Sequence, residues 1–289
     1  MENPASQTAF GPMLVVAVEQ YYGEEHRLVQ DELAYRFLPA YLKFTARLAR
    51  WLPARKLLLN LSDKAAPGIW GSQLCRKRYI NDKIRATSGE IAAAVILGAG
   101  LDTRAYRMAD LTNVPVFEVD LPEGITYKQA KLRDLYGQVP NTVRLVPLDF
   151  EHQDLETALA EHGYRDDWRT FFVWEGVTQY LTEEAVRKTF DFLAKAASGS
   201  RLVFTYVRQD FMEGVNLFGA PRLYQQYRAK QDLWHFGMIP EQVAAFLNAY
   251  GWRELEQMGS QEFTARYIRP SGRKLPVSEV ERSVYAEKS

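Results

Sequence analysis

An α/β fold, an open and mostly parallel sheet wrapped by helices, is the class this sequence predicts, and three observations predict it. From Ile91 onward, short β-branched runs alternate with helix-period segments, the signature of βαβ units. Before Ile91 the apolar residues recur near a 3.6-residue period instead. Near the end, two further strand-like runs flank Gly259-Ser260, as the arms of a hairpin would.

Residues 1–90 read as an N-terminal helical cap. Phe37, Leu38, Tyr41, Leu42, Phe44, Thr45 and Leu48 follow helical spacing, and Pro67-Gly68 and Ser88-Gly89 punctuate the segment. The stretch Tyr41 to Leu59 mixes Leu, Phe and Trp with Lys43, Arg47, Arg50, Arg55 and Lys56, a composition that suits a membrane-surface helix. Pro53 interrupts it, so the expectation is a packed amphipathic helix pair with a solvated basic face.

Strands are expected at Ala94 to Leu97, Val116 to Val119, Val143 to Pro147, Thr170 to Trp174 and Arg201 to Val207. Helices fall between them at Thr103 to Met108, Gly124 to Tyr136, Leu155 to Glu161 and Glu183 to Ala197. The last is capped by Thr182, with Glu183 and Glu184 at its positive end. Residues 209–239 form an aromatic-rich insertion that reads as a helical lid or as the core of a helical subdomain. Pro240 opens a helix that ends at Gly251. The closing pair is Glu254 to Met258 and Glu262 to Ile268, which makes 91–270 the α/β domain, and 271–289 reads as a polar, mobile tail.

Composition narrows the function. The 289 residues are 47% hydrophobic, enough for a sizeable core, and 36 basic side chains balance 36 acidic ones, so no global field draws nucleic acid or an anionic membrane. Cys75 is the single cysteine, which rules out an intrachain disulfide and a cysteine-based zinc site; His26, His152, His162 and His235 lack ligand spacing, so no metal is expected. The N-terminus has no basic n-region and its apolar run, Met13 to Val18, is short, so a cytoplasmic location is expected.

The chemistry concentrates after the first strand. Val95 to Leu97 enters the turn Gly98-Ala99-Gly100, and the second strand ends on Asp120. Glycines let backbone N–H groups approach a nucleoside, and an acid at the second strand's end accepts from both ribose hydroxyls. NAD-type dinucleotides and S-adenosylmethionine both fit. Thr103 replaces the third glycine of G-x-G-x-x-G, which disfavours a pyrophosphate. Asp149-Phe150 ends the third strand, where an acid and a ring could flank adenine or where Asp149 simply makes a turn. Glu175 follows the fourth strand, an unusual place for a carboxylate without a partner. Tyr-x-x-x-Lys occurs at Tyr79 and Tyr127, in neither case where it would reach a nicotinamide, and no Gly-x-Ser-x-Gly or Walker loop is present.

The strings Val95 to Arg107, Phe117 to Pro122 with Lys128 and Lys131 beyond it, and Glu175 to Leu181 resemble the leucine carboxyl methyltransferase family and its bacterial O-methyltransferase relatives. The likeness runs more loosely from about Gln30 to Gly251, with Arg76-Lys77-Arg78-Tyr79-Ile80-Asn81-Asp82 similar to the family's arginine-rich segment. It implies a class I methyltransferase (Rossmann-like) sheet with a terminal antiparallel strand, S-adenosyl-L-methionine as cofactor, and an O- or carboxyl methyltransferase activity. It also implies roles: Arg76 or Arg78 grips the cofactor carboxylate, Gly98 and Gly100 approach the cofactor, Asp120 binds the ribose, Asp149 and Phe150 flank the adenine, and Glu175 completes the tail site. The family's N-terminal lysine has no counterpart near Glu19 to Arg27.

The acceptor is expected between the cap and the lid, with Tyr180, Tyr206, Arg222 and His235 as candidate acceptor-side residues. The acceptor group is a carboxylate or a hydroxyl, and scarcity of histidine near strand ends, His235 excepted, favours the carboxylate; the resemblance implies a polyketide-like small molecule or a peptide, between which nothing in the sequence chooses. An NAD-dependent oxidoreductase and a non-catalytic ligand-binding relative are the rival readings. Nothing in the sequence fixes the oligomeric state.

Overall fold

A computed structural model describes residues 7–289; the first six residues of the expected cap lie outside it. The cap's regular elements are helices, α1 (Phe10–Glu19), α2 (Ala34–Phe37), α3 (Ala40–Leu48), α4 (Leu52–Ala65) and α5 (Ile69–Ala86), with turns and irregular chain over 20–33. Pro53 does not split the amphipathic stretch in mid-helix; it sits in the first turn of α4, where its missing N–H has no bond to lose.

The α/β part follows as β1 (Ala93–Leu97), α6 (Arg104–Arg107), β2 (Val116–Asp120), α7 (Pro122–Tyr136), β3 (Val143–Pro147), α8 (Leu155–Glu161), β4 (Thr170–Trp174), α9 (Glu183–Leu193) and β5 (Arg201–Val207). The Thr182 hydroxyl accepts from the Ala185 N–H at 3.2 Å and caps α9. After β5 come α10 (Gln209–Met212), α11 (Pro221–Tyr224) and a π-helical turn, Gln225–Lys230. The chain then forms α12 (Val243–Ala249), β6 (Trp252–Met258), α13 (Ser260–Phe263) and β7 (Glu281–Lys288).

The seven strands run in the order β3-β2-β1-β4-β5-β7-β6. The first five pair in parallel and β7 is antiparallel to both of its neighbours. Alternation along β1 sorts the core: Ala94 and Ile96 face the cap, while Ala93, Val95 and Leu97 join the layer beneath α9 and α12. Both faces of the central strands are covered, which is why β1 and β4 are short continuous apolar runs, while β3 at the edge carries exposed Arg144.

Three expectations are corrected. Residues 262–268 are not a strand: Ser260–Phe263 is helical and Thr264–Ile268 is a π turn, which turns Phe263 and Ile268 inward together. The hairpin at Gly259-Ser260 is therefore absent, and the partner of β6 comes from the segment read as a polar tail. Ser283 to Ala286 of that segment are buried between β5 and β6. Finally, the apolar residues between Tyr41 and Leu59 are only half packed. Leu42, Leu58 and Leu59 rest against the cap's core, whereas Tyr41, Phe44, Leu48, Trp51, Leu52 and Leu57 are exposed, and α4 has no buried side chain at all.

Candidate active site

The order of the first five strands reverses between β1 and β4, and an open α/β sheet binds its ligand at such a switch point, beyond the strands' C-terminal ends. A cavity of about 470 Å³ lies there, reached by the glycine turn after β1, Asp120 at the end of β2, Glu175 after β4, α5, and Val280-Glu281 at the start of β7.

The turn after β1 is built for close approach. Gly98 has φ +66°, and a Cβ there would stand 2.2 Å from a Val177 methyl, so only glycine lets this turn pass under the loop after β4. Two residues on, the Gly100 N–H donates to Asp120 Oδ2, and the Leu121 N–H donates to Asp120 Oδ1 at 2.7 Å. The two bonds fix the carboxylate at the cavity wall and leave lone pairs on both oxygens. Burial raises the Asp120 carboxyl above its ordinary value, and these N–H groups pull it back.

Opposite lies a buried charge network. Arg76 donates from Nε to Glu175 Oε1 at 2.9 Å and from Nη1 to Glu281 Oε2 at 2.5 Å; Lys77 Nζ stands 3.2 Å from Glu175 Oε1. Arg104, fully buried, donates to Glu175 Oε2 at 2.8 Å and to Asp102. Burial alone would raise the Glu175 carboxyl, but Lys77, Arg104 and Arg76 together hold it far below the carboxylate range. Burial lowers Lys77, whose one ion-pair partner among the described residues is Glu175. Three buried oxygens on the cavity wall, Gln73 Oε1, Gln179 Oε1 and Glu281 Oε1, accept no hydrogen bond among the described residues.

Of the residues singled out from sequence, Arg76, Gly98, Gly100, Asp120, Asp149, Phe150, Glu175 and Tyr180 all line the cavity. Arg78 does not. Two positions on, it points about 200° away around α5, where it donates to Asp82 at 3.0 Å and to the Leu28 carbonyl at 3.2 Å. The Asp149 carboxylate makes a turn, accepting from the Glu151 N–H at 3.0 Å and contacting His152 Nδ1 at 2.9 Å.

The acceptor-side candidates divide. Tyr180 is at the cavity, with its phenol raised by burial. Tyr206 is buried in the layer under α9, its hydroxyl donating to Gln257 at 2.7 Å. Arg222 is exposed on a separate shallow depression, and His235 is exposed, its backbone N–H donating to the Gln179 carbonyl at 2.7 Å. In the insertion, Phe211, Met212 and Trp234 belong to a small core of their own, while Leu223, Tyr227 and Trp234 line the cavity. Lys77, Asp102, Gln73 and Glu281 were missed. Asp102 carried a signal in its place directly after the glycine turn; Glu281 carried none, since it lies in the misread tail.

The sequence pattern of the leucine carboxyl methyltransferase family matches residues 9–194, from α1 to the end of α9. The chain belongs to that family. Its relatives agree: a Mycobacterium avium protein named as an S-adenosyl-L-methionine-dependent methyltransferase is 35% identical over 161 residues, 55% of this chain and 52% of that relative. A Mycobacterium tuberculosis protein of the same name is 27% identical over 253 residues, covering 82% of this chain and 81% of the relative. This chain thus spans about half of the first relative and most of the second. Among solved structures, a methyltransferase-named protein of Thermobifida fusca superimposes with TM-score 0.57 at 18% identity over 82% of this chain and 88% of that one. A DUF574-family protein of Streptomyces avermitilis also gives 0.57, at 15% identity over 83% and 92%. These two show the fold alone, that of a class I methyltransferase. This leucine carboxyl methyltransferase family member is an S-adenosylmethionine-dependent methyltransferase, which removes the dinucleotide reading of the glycine turn.

Proposed function

We propose that this methyltransferase carries the methyl group to a hydroxyl oxygen of a largely apolar small molecule, with Glu281 taking up the acceptor's proton. The observation that carries the reading is Glu281 Oε1, buried and without a hydrogen-bond partner among the described residues, in a cavity also lined by Ile69, Val207, Leu223, Tyr227, Trp234 and Val280. What favours a hydroxyl over the acidic acceptor expected from sequence is charge. The cations at the cavity, Arg76 and Lys77, already face Glu175 and Glu281, and the cofactor brings a carboxylate of its own. A second carboxylate would enter with no cation to meet it.

For the cofactor, Asp120 would accept from the ribose hydroxyls, Phe150 would pack on the adenine, and Lys77 with Arg76 would take the carboxylate. Gln73 Oε1 is a free acceptor for the ammonium. When bound, S-adenosylmethionine supplies an activated methyl group and leaves as a neutral thioether. The chain's own work is alignment and water exclusion: the aromatic insertion closes one side, Tyr180 and Gln179 orient the acceptor, and Glu281 accepts the hydroxyl proton as the new C–O bond replaces the C–S bond.

Incubation of the enzyme with methyl-labelled cofactor and cell extract tests this directly. The expected product is an ether, stable to mild alkali; label released as methanol identifies a methyl ester and overturns the reading. Glu281→Gln should slow turnover by roughly 10²-fold, the low end for loss of a general base, with S-adenosylhomocysteine still bound.

A further inference from the structure

We propose that α3 and α4 form a docking surface for an anionic phospholipid membrane. Tyr41, Phe44 and Leu48 lie at i, i+3 and i+7 of α3, and Leu57 and Leu61 at i and i+4 of α4, so each helix presents one apolar stripe. Both stripes face water. Tyr41 is 65%, Phe44 64% and Trp51, between the helices, 69% exposed. Apolar side chains this large cluster outside a core where something covers them.

Charge names the occupant. Residues 39–66 hold six basic residues and one acid, Asp63, whose carboxylate accepts the Gly68 N–H at 2.9 Å. Of the six, Arg55 folds back onto the Tyr21 carbonyl at 2.7 Å. Lys43, Arg47, Arg50, Lys56 and Lys64 have no carboxylate within ion-pair distance among the described residues, although acids and bases balance over the whole chain. Aromatic and aliphatic groups on one face with unpaired cations beside them are what an in-plane amphipathic helix needs to enter the headgroup layer of an anionic bilayer. A second copy fits worse: in a twofold contact the same patch meets itself, and five unpaired cations would oppose their mates. The surface lies beside the active site in the chain, since α4 passes through Ala66–Gly68 directly into α5, which carries Ser72, Gln73, Arg76 and Lys77 to the cavity.

Sedimentation of the full chain with vesicles tests the assignment. Phosphatidylglycerol-containing vesicles should carry down at least roughly tenfold more protein than pure phosphatidylcholine vesicles, less so as salt rises. Phe44→Glu with Trp51→Glu, and separately Arg47→Glu with Arg50→Glu, should each reduce that fraction by about tenfold, with melting temperature and S-adenosylhomocysteine binding unchanged. Equal sedimentation with both lipids, or variants that bind as wild type, overturns the proposal. So does a dimer, detected by analytical ultracentrifugation, that Phe44→Glu with Trp51→Glu dissociates.

Discussion

Glu175→Gln is the sharpest perturbation of the buried network. The wild-type cluster sets three cations, Arg76, Lys77 and Arg104, against three carboxylates, Glu175, Glu281 and Asp102. An amide keeps the shape and removes one negative charge. Arg76 retains Glu281 and Arg104 retains Asp102, so the uncompensated charge falls mainly on Lys77, which has no second carboxylate within ion-pair distance among the described residues. Breaking a buried pair costs about 3–5 kcal/mol, and the two surviving pairs put this case near 3. At roughly 2–4 °C per kcal/mol for a chain of this size, the melting temperature should drop by about 6–12 °C. Lys77→Met is the control. Burial already lowers the Lys77 pKa, so its charge is costly to the folded state, and removing it should change stability by under about 1 kcal/mol. Its loss should still weaken S-adenosylhomocysteine binding by roughly ten- to a hundredfold, the worth of one charge-assisted bond. Thermal melts by circular dichroism and titration calorimetry read the two effects separately. A Glu175→Gln melting point within about 2 °C of wild type would refute the claim that this carboxylate holds the cations in place.

Gly98→Ala should destabilise by about 3 kcal/mol or more, read as a lowered urea midpoint, and Val177→Ala should restore only part of it, because the clash is relieved while φ +66° still strains an alanine. Lys128→Met strands Glu118, whose carboxyl burial already raises while Lys128, 2.8 Å away, and the Tyr106 hydroxyl pull it back. The variant's deficit, about 3–5 kcal/mol at neutral pH, should shrink in melts taken below the ordinary carboxyl value near 4.5, where Glu118 is protonated in both folded and unfolded chains. A chain cut after Pro270 loses β7 and should show no cooperative melt, since β5 and β6 do not pair with each other.

Much of this was legible because the inner strands β1, β2, β4 and β5 are buried on both faces and so read as largely apolar runs between glycine and proline punctuation. The cavity-lining acids at strand ends were legible for the same reason, since Asp120 and Glu175 end such runs. β7 was not, because Glu281, Arg282, Glu287 and Lys288 look solvated in sequence, whereas Glu281 faces Arg76, Arg282 faces Glu262 and Glu287 faces Arg201 in the fold. Long-range pairing neutralises charges that local pattern takes for surface. Arg76 and Arg78 were inseparable in sequence, since either could face the site until the packing of α5 fixed its rotation. The outward stripe of α3 and α4 failed for a different reason: helical period says that one face is apolar, not that anything lies against it.

The placement of β7 between β5 and β6 has a consequence for how the molecule is made. On the ribosome, β1 to β5 can assemble as they emerge, each beside a strand already present, but β6 has nowhere to attach until residues 281–288 have followed it out. Glu281 arrives with that same segment, so the sheet's last edge and the last wall of the active site close in one event. A nascent chain can therefore hold most of its nucleoside cradle and yet have no complete chamber in which to react.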